Sequence, residues 1–109
     1  MWEVNNNNFN LQMTEGDFGI DLPIKIKGAT LSSGDSIKLI FKIKKDDTEP
    51  LIEKTYDNIE LNTFNLSFTQ LESQKFSVGN YVYSMDWYKD GYFMCNIIRH
   101  GILKVVDKS

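Results

Sequence analysis

The sequence has few of the residues on which small enzymes and metal sites most often depend. Cys95 is the single cysteine and His100 the single histidine among 109 residues. One cysteine cannot form an intrachain disulfide, which fits folding in a reducing cytosol. One histidine cannot supply the pair of imidazoles that common zinc sites use. We therefore expect a protein that is not an enzyme and that uses no metal and no cofactor.

Long apolar runs and an excess of positive charge are also missing. No segment approaches the ~20 consecutive apolar residues of a membrane-spanning helix. The chain has 12 Lys and Arg against 15 Asp and Glu, a formal net charge of -3, and the two signs are interspersed. Nucleic-acid-binding proteins usually show a basic stripe instead. We expect neither nucleic acid nor membrane among the partners.

What the sequence does contain is short alternation of apolar and polar residues, with turn-forming Gly, Asp, Asn and Ser between the runs. The clearest runs are Phe18–Ile26, Ile37–Ile43, Phe64–Phe68 and Tyr81–Trp87. A period of two residues is typical of β-strands with one buried face, and crossover helices for parallel pairing have no room here. The pattern predicts an all-β fold, an antiparallel β-sandwich of about seven to eight strands.

The same pattern gives the domain boundaries. We expect a polar, mobile lead at residues 1–8, a single β domain at 9–106 and a short tail at 107–109. The first strand should place Phe9, Leu11 and Met13 inward. Charged residues in Leu51–Tyr56 indicate an edge strand, and Gln70–Phe76 lacks alternation and is predicted to form one helical turn.

The strongest local signal is a hairpin near the C-terminus. Its first arm alternates large residues on one face, Asp90 and Gly91 supply the turn, and a second apolar arm comes after the turn. The inward residues predicted for the two arms are Tyr81, Tyr83, Met85 and Trp87, then Phe93, Cys95 and Ile97. This accounts for most of the aromatic density as core.

The outward phase of the hairpin is the candidate site. Tyr88 and Tyr92 are expected to form an exposed cross-strand pair on either side of the turn, and Ile40 is outward on another strand. A cross-strand pair of this kind stabilises a hairpin by roughly 0.2–1 kcal/mol without any ligand. We interpret Tyr88, Tyr92 and Ile40 as a partner-binding face.

Catalytic interpretations of the remaining residues are weaker. Cys95 and His100 suggest a thiol nucleophile with its base, but the phase of Cys95 predicts a buried thiol and the Gly101 neighbour predicts a surface histidine at a turn. We expect that structural arrangement instead.

Two groups of acidic residues also admit a functional interpretation. Asp46, Asp47 and Glu49 share one loop but lack the oxygen spacing and central glycine of a Ca²⁺ loop. Asp86 and Asp90 resemble a glycosidase carboxylate pair, although Asp86 is expected to face outward and Asp90 to form the turn. We assign no catalytic residue to either group.

The segment from Leu71 through Gly79 to Tyr81 and Tyr83 resembles the turn before the sixth strand of immunoglobulin-like domains. In those domains a tyrosine corner packs its ring in the core and bonds its hydroxyl to backbone a few residues upstream. The resemblance implies that Tyr81 is a structural tyrosine corner.

The order of elements over residues 9–106 resembles a narrower family, the immunoglobulin-like N-terminal domain of phage baseplate upper proteins. The matching pieces are Glu15–Ile20, Leu31 with Gly34-Asp35, Leu51–Thr55, Phe64–Leu66 with Leu71, Val78–Tyr83, Asp90-Gly91 and Gly101–Val105.

That resemblance implies a non-enzymatic structural protein of a phage or prophage tail, located in the virion. It implies an assembly or attachment module whose partners are other virion or tail proteins, with self-association as a further possibility. The alternative is a small carbohydrate-binding module that uses its outward aromatic residues to stack on sugar rings.

Overall fold

The regular secondary structure of the protein is almost entirely β-strand. A computed structural model describes residues 2–5, 9–28, 30–57, 59 and 61–107. Within these ranges the elements are β1 (Glu3–Asn5), β2 (Asn10–Thr14), β3 (Leu22–Lys25), β4 (Asp35–Lys42), β5 (Ile52–Asp57), β6 (Thr63–Leu66), α1 (Gln70–Ser73), β7 (Gly79–Lys89) and β8 (Tyr92–Val106). The predicted all-β class is confirmed. No helix in the described ranges is long and apolar enough to cross a membrane.

The strands form two sheets. The larger has the order β1-β2-β8-β7-β4-β5, and the smaller pairs β3 with β6. All pairings are antiparallel except that of β2 with β8, which is parallel and aligns Leu11 with Leu103 and Met13 with Val105. The prediction of a purely antiparallel fold is wrong at this pairing. Period-two alternation reports which face is buried and carries no signal about strand direction.

The two sheets share one hydrophobic core. On the larger sheet, Ile37, Leu39 and Phe41 are fully buried. The ring of Phe41 lies 5.3 Å from Phe68 and 6.0 Å from Phe76, both of which come after the smaller sheet in the chain. Such offset and edge-on ring pairs add to the stabilisation from burial alone. The remaining buried hydrophobic residues are Leu11, Met13, Ile26, Leu31, Ile52, Ile59, Phe64, Leu66, Tyr83, Met85, Leu103 and Val105.

The long alternation of Phe18–Ile26 forms a much shorter strand than its pattern predicts. Only Leu22–Lys25 pair with β6, and Phe18 and Ile20 are exposed. Gly19, with a φ of 72°, turns the chain, and its amide donates to the carbonyl of Phe68. The turn at Gly19 therefore keeps Phe18 and Ile20 out of β3, which begins only at Leu22.

The predicted mobile lead at residues 1–8 contains strand β1, and its mobility stays a prediction. Strand β1 pairs with β2, and the indole of Trp2 donates to the carbonyl of Ile20 at 3.0 Å. The Trp2 ring also lies 5.6 Å from Phe68. Phe9, expected inside, is exposed, has a φ of 58° and precedes β2. Met1, Asn6–Asn8 and the end of the predicted tail, Lys108 and Ser109, lie outside the described residues.

Two smaller predictions are confirmed. Strand β5 lies at the edge of the larger sheet, and α1 is one helical turn with a capping box between Thr69 and Glu72. Lys54 on β5 joins the two, because its ammonium donates to Ser67 O at 2.6 Å and to Glu72 Oε1 at 2.8 Å. Burial alone would raise the pKa of Glu72, but hydrogen bonds from Lys54 and Thr69 outweigh burial and lower it.

The β7–β8 hairpin is irregular. Its register shifts between Tyr83 and Met85, between Met85 and Asp86, and between Trp87 and Tyr88. At each shift β8 contributes one residue more than β7, which is the arrangement of a β-bulge. Each extra residue reverses the phase of the side chains beyond it, so β8 does not show simple alternation.

Tyr83 fixes the middle of this hairpin. It is buried opposite Gly101, its hydroxyl donates to the carbonyl oxygen of Phe9, and its ring stacks on Phe41 at 5.7 Å. Burial raises the pKa of Tyr83 to about 12. A Cβ at Gly101 would overlap the Tyr83 ring, so only glycine leaves room for that ring.

We expect Gly101→Ala to lower the free energy of unfolding by roughly 1–3 kcal/mol, because the buried ring cannot move away from the new methyl group. Urea unfolding would measure this. In a Tyr83→Leu background the same substitution should cost less, since the smaller side chain leaves space. Equal costs in the two backgrounds would contradict the steric account.

Asp35 holds the tip of the hairpin. Its buried carboxylate accepts from the Ser32 amide at 2.8 Å and from Trp87 Nε1 at 3.1 Å. The Asp90 amide in turn donates to the Gly34 carbonyl at 2.8 Å. The hydrogen bond from the Ser32 backbone is the main cause that lowers the pKa of Asp35, assisted by Trp87 and the charge of Lys89, against the opposing effect of burial.

A depressed pKa in the folded state means that Asp35 stabilises the protein when it is ionised. We expect Asp35→Asn to lower the free energy of unfolding by roughly 1–2 kcal/mol at neutral pH. The difference between the free energies of unfolding of wild type and variant should reach its full size above about pH 4. It should shrink as the pH falls through the pKa of Asp35 in the folded protein. Urea unfolding at several pH values would measure it. Asp46→Asn, at an exposed loop residue, is the matched control and should show no such trend.

Candidate partner-binding surface

The outward aromatic pair predicted for the hairpin does not form. Tyr88 lies opposite Phe93, with ring centroids 5.7 Å apart in an edge-on arrangement, and Tyr92 lies opposite Lys89. Met94 is the extra residue that produces this register. Since adjacent residues of a strand point to opposite faces, Tyr92 is on the other face from Phe93 and Tyr88. The alternation did not indicate the shift, because a bulge leaves no mark in the local pattern.

Ile40 and Tyr88 do share the outer face of the larger sheet, but a charged group separates them. Lys38 lies between them on β4, with its ammonium 4.8 Å from the Tyr88 ring centre and 3.1 Å from Glu53 Oε1. The hydrogen bond to Glu53 is the main cause that raises the pKa of Lys38. Tyr88, Tyr92 and Ile40 therefore form no continuous apolar surface, and their role in binding a partner stays a prediction.

The inward residues of the hairpin divide into two groups. Tyr83 and Met85 are buried and Trp87 is partly buried, as expected. Phe93, Cys95 and Ile97 were also expected inside, but all three are exposed. The bulges change the face of the sheet to which these side chains point. The hydrophobic core also covers the hairpin only as far as Trp87, so the outer part of the hairpin is exposed on both faces.

This outer part contains a surface that the alternation did not predict. Residues Tyr92–Ile98, which we call the β8 edge, pair with β7 on one side only, because β2 reaches only Leu103–Val106. Their other side carries backbone N–H and C=O groups without a strand partner in the described part of the chain. Tyr92 is 76% exposed, Phe93 54%, Met94 48% and Ile97 36%. The unbroken apolar run at 92–95 is the signal that could have indicated it.

A groove runs beside the β8 edge, toward β3. Its volume is about 420 Å³. Six apolar side chains line it together with Lys25 and Lys27: Phe9, Ile24, Ile26, Met85, Ile97 and Ile98. We call this the edge groove. An unpaired strand edge next to an apolar groove is the geometry by which extended peptides add to a sheet, with side chains entering the groove.

The structure places the four residues considered above as catalytic candidates, which are Cys95, His100, Asp86 and Asp90, at separate positions of the hairpin. Cys95 is exposed opposite Trp87, so the buried thiol expected for it is wrong. His100 is exposed, as expected, but it lies in a bulged part of β8 instead of a turn. Asp86 faces outward yet is covered, and accepts from Asn96 Nδ2 at 2.5 Å. Asp90 forms the turn with a φ of 50°.

The acidic loop has a structural role as well. The Asp47 carboxylate accepts from the Lys44 amide at 3.0 Å, which closes the loop after β4. Among the residues that the structure describes, no group of three or more His, Cys, Asp or Glu side chains is arranged to hold a metal ion.

Tyr81 stands at the start of β7 and bonds to the backbone upstream. Its hydroxyl accepts from the Ser77 amide at 2.8 Å and donates to the Ser77 carbonyl at 3.1 Å. Its ring packs edge-on against Phe76 at 4.9 Å. The hydroxyl thus joins the strand to the turn that precedes it.

We expect Tyr81→Phe to retain the fold and to lower the free energy of unfolding by roughly 1 kcal/mol, because two backbone groups of Ser77 lose their partner. Thermal unfolding would measure this. Tyr92→Phe removes the same atom from a highly exposed ring and is the matched control. Equal melting temperatures for the two variants would contradict a structural role for the Tyr81 hydroxyl.

A comparison of the chain with protein-family models, with curated proteins and with solved structures finds no match in any of the three.

Proposed function

We propose that the fold is an immunoglobulin-like sandwich. In such domains the last strands form a sheet of order G-F-C, extended by C′, while strands B and E pair in the opposite sheet. The order β8-β7-β4-β5 and the separate pair β3–β6 correspond to these two sets. The Tyr81 hydrogen bonds to Ser77, four residues upstream, are those of a tyrosine corner and support the same assignment.

The function that this geometry supports best is non-enzymatic assembly through protein–protein contacts. The single observation that carries it is the β8 edge, a long strand edge that has no partner strand among the described residues and carries exposed apolar side chains beside the edge groove. Natural proteins usually shorten, charge or cover such an edge, because it pairs readily with other chains. An extended segment of a neighbouring subunit would pair with Tyr92–Ile98 and place alternate side chains in the edge groove.

The resemblance to baseplate upper proteins supplies the setting, a phage or prophage tail, in which the partner is another tail subunit. The carbohydrate-binding alternative has less support from the geometry. The Lys38 ammonium lies over one face of the Tyr88 ring, and the same ring packs against Phe93 in an edge-on pair. Stacking on a sugar needs a free ring face.

Cys95 allows a direct test, because it is the only cysteine and is exposed within the β8 edge. A thiol-linked photo-crosslinker at Cys95 should join the chain to a subunit encoded by a neighbouring tail gene when the proteins are mixed and irradiated. Met94→Lys should abolish this product without changing the melting temperature, since it places a charge on an exposed edge.

The matched control is the same crosslinker at Lys75→Cys in a Cys95→Ser background, at an exposed residue after α1. It should give no product. Equal products from the two positions would contradict docking at the β8 edge. Neighbouring genes for glycoside hydrolases, with glycan binding that is lost in Tyr92→Ala, would favour the carbohydrate alternative.

A further inference from the structure

A second cleft lies on the outer face of the larger sheet, away from the edge groove. Its volume is about 200 Å³, and it is bounded by β4, β7, β8 and the loop after β4. The lining residues are Ile40, Lys42, Lys45, Val82, Tyr83, Ser84, Asn96, Arg99 and His100. This volume is below the roughly 300–1,000 Å³ of sites for drug-sized ligands, so the cleft suits a small chemical group.

The charge of this cleft is opposite to that of the whole chain. The chain has a formal net charge of -3, yet Lys42, Lys45 and Arg99 line the cleft and none of its described lining residues is acidic. Like charges grouped around a concave surface raise the local concentration of counter-ions of the other sign. A cleft of this composition attracts anions.

A β-bulge brings two of these side chains together. Tyr83 pairs with Gly101 and Met85 with Ile98, so Arg99 and His100 both lie opposite the single residue Ser84. They are the only arginine and the only histidine of the chain. Bulges re-aim side chains and are frequent beside functional sites. Here the bulge directs two donors of different chemistry into the same cleft.

The donors fit a tetrahedral oxyanion. A guanidinium presents paired N–H groups to two oxygens at once, and ammonium, hydroxyl and imidazole N–H groups supply further donors. The carboxylate of Asp86 does not line the cleft; it is covered and accepts from Asn96 Nδ2.

We propose that the cleft formed by Lys42, Lys45, Ser84, Arg99 and His100 is a binding site for a phosphate group. The group is either free inorganic phosphate or the phosphomonoester of a larger molecule. The site uses none of the exposed apolar residues of the β8 edge and stands independently of the assembly function.

The test is a titration of the ¹⁵N-labelled full chain with sodium phosphate, at constant ionic strength maintained with sodium chloride. We expect saturable NMR shifts concentrated at the amides of Ser84, Asn96, Arg99 and His100. Arg99→Gln should weaken binding roughly tenfold, because it removes charge-assisted hydrogen bonds, and Arg99→Lys should recover part of the loss. Lys75→Gln removes one positive charge outside the cleft and should leave binding unchanged.

Two outcomes would overturn the proposal. Shifts that spread over the lysines without saturation would show general screening instead of a site. Equal binding of acetate and phosphate would show that the cleft does not select a phosphate group. A parallel titration with glycerol 1-phosphate distinguishes the two ligands. If it binds more tightly than inorganic phosphate, the ligand is a phosphomonoester. If only inorganic phosphate binds, the ligand is the free ion.

Discussion

The mismatch between β7 and β8 is the constraint on which the rest of the structure depends. The two strands pair along nearly the whole of β7, yet β8 carries an extra residue at each of three register shifts. Each bulge reverses the facing of the side chains beyond it and increases the local twist. The bulges therefore decide which hairpin residues enter the core, which remain exposed, and which are directed to the outer face.

The hairpin is held at three levels in spite of these irregularities. Tyr81 ties its base to Ser77, Tyr83 fills the space over Gly101 in the middle, and Trp87 donates to the buried Asp35 near the tip. Each contact joins an aromatic ring to a polar or backbone group that would otherwise be left unpaired or uncovered. These three contacts keep β7 and β8 in one register. The alternation of apolar and polar residues would by itself specify that register only weakly.

The two proposed surfaces result from the same irregularity. Beyond Trp87 the core no longer covers the hairpin, which leaves Tyr92–Ile98 as an apolar edge suited to another strand. Nearer the base, the bulge at Arg99 and His100 gathers cationic and donor groups opposite Ser84. One surface is proposed for a protein segment and the other for a small anion, and both depend on bulges in the same strand.

The sequence by itself determined the all-β class, the Asp90-Gly91 turn, the edge position of β5 and the helical turn at Gln70–Ser73, because these depend on local periodicity and turn chemistry. Tertiary structure decided the parallel pairing of β2 with β8, the exposure of Phe93, Cys95 and Ile97, and the separation of Tyr88 from Tyr92. Pairing partners, bulges and the extent of core cover depend on residues distant in the chain, and a local pattern contains no information about them.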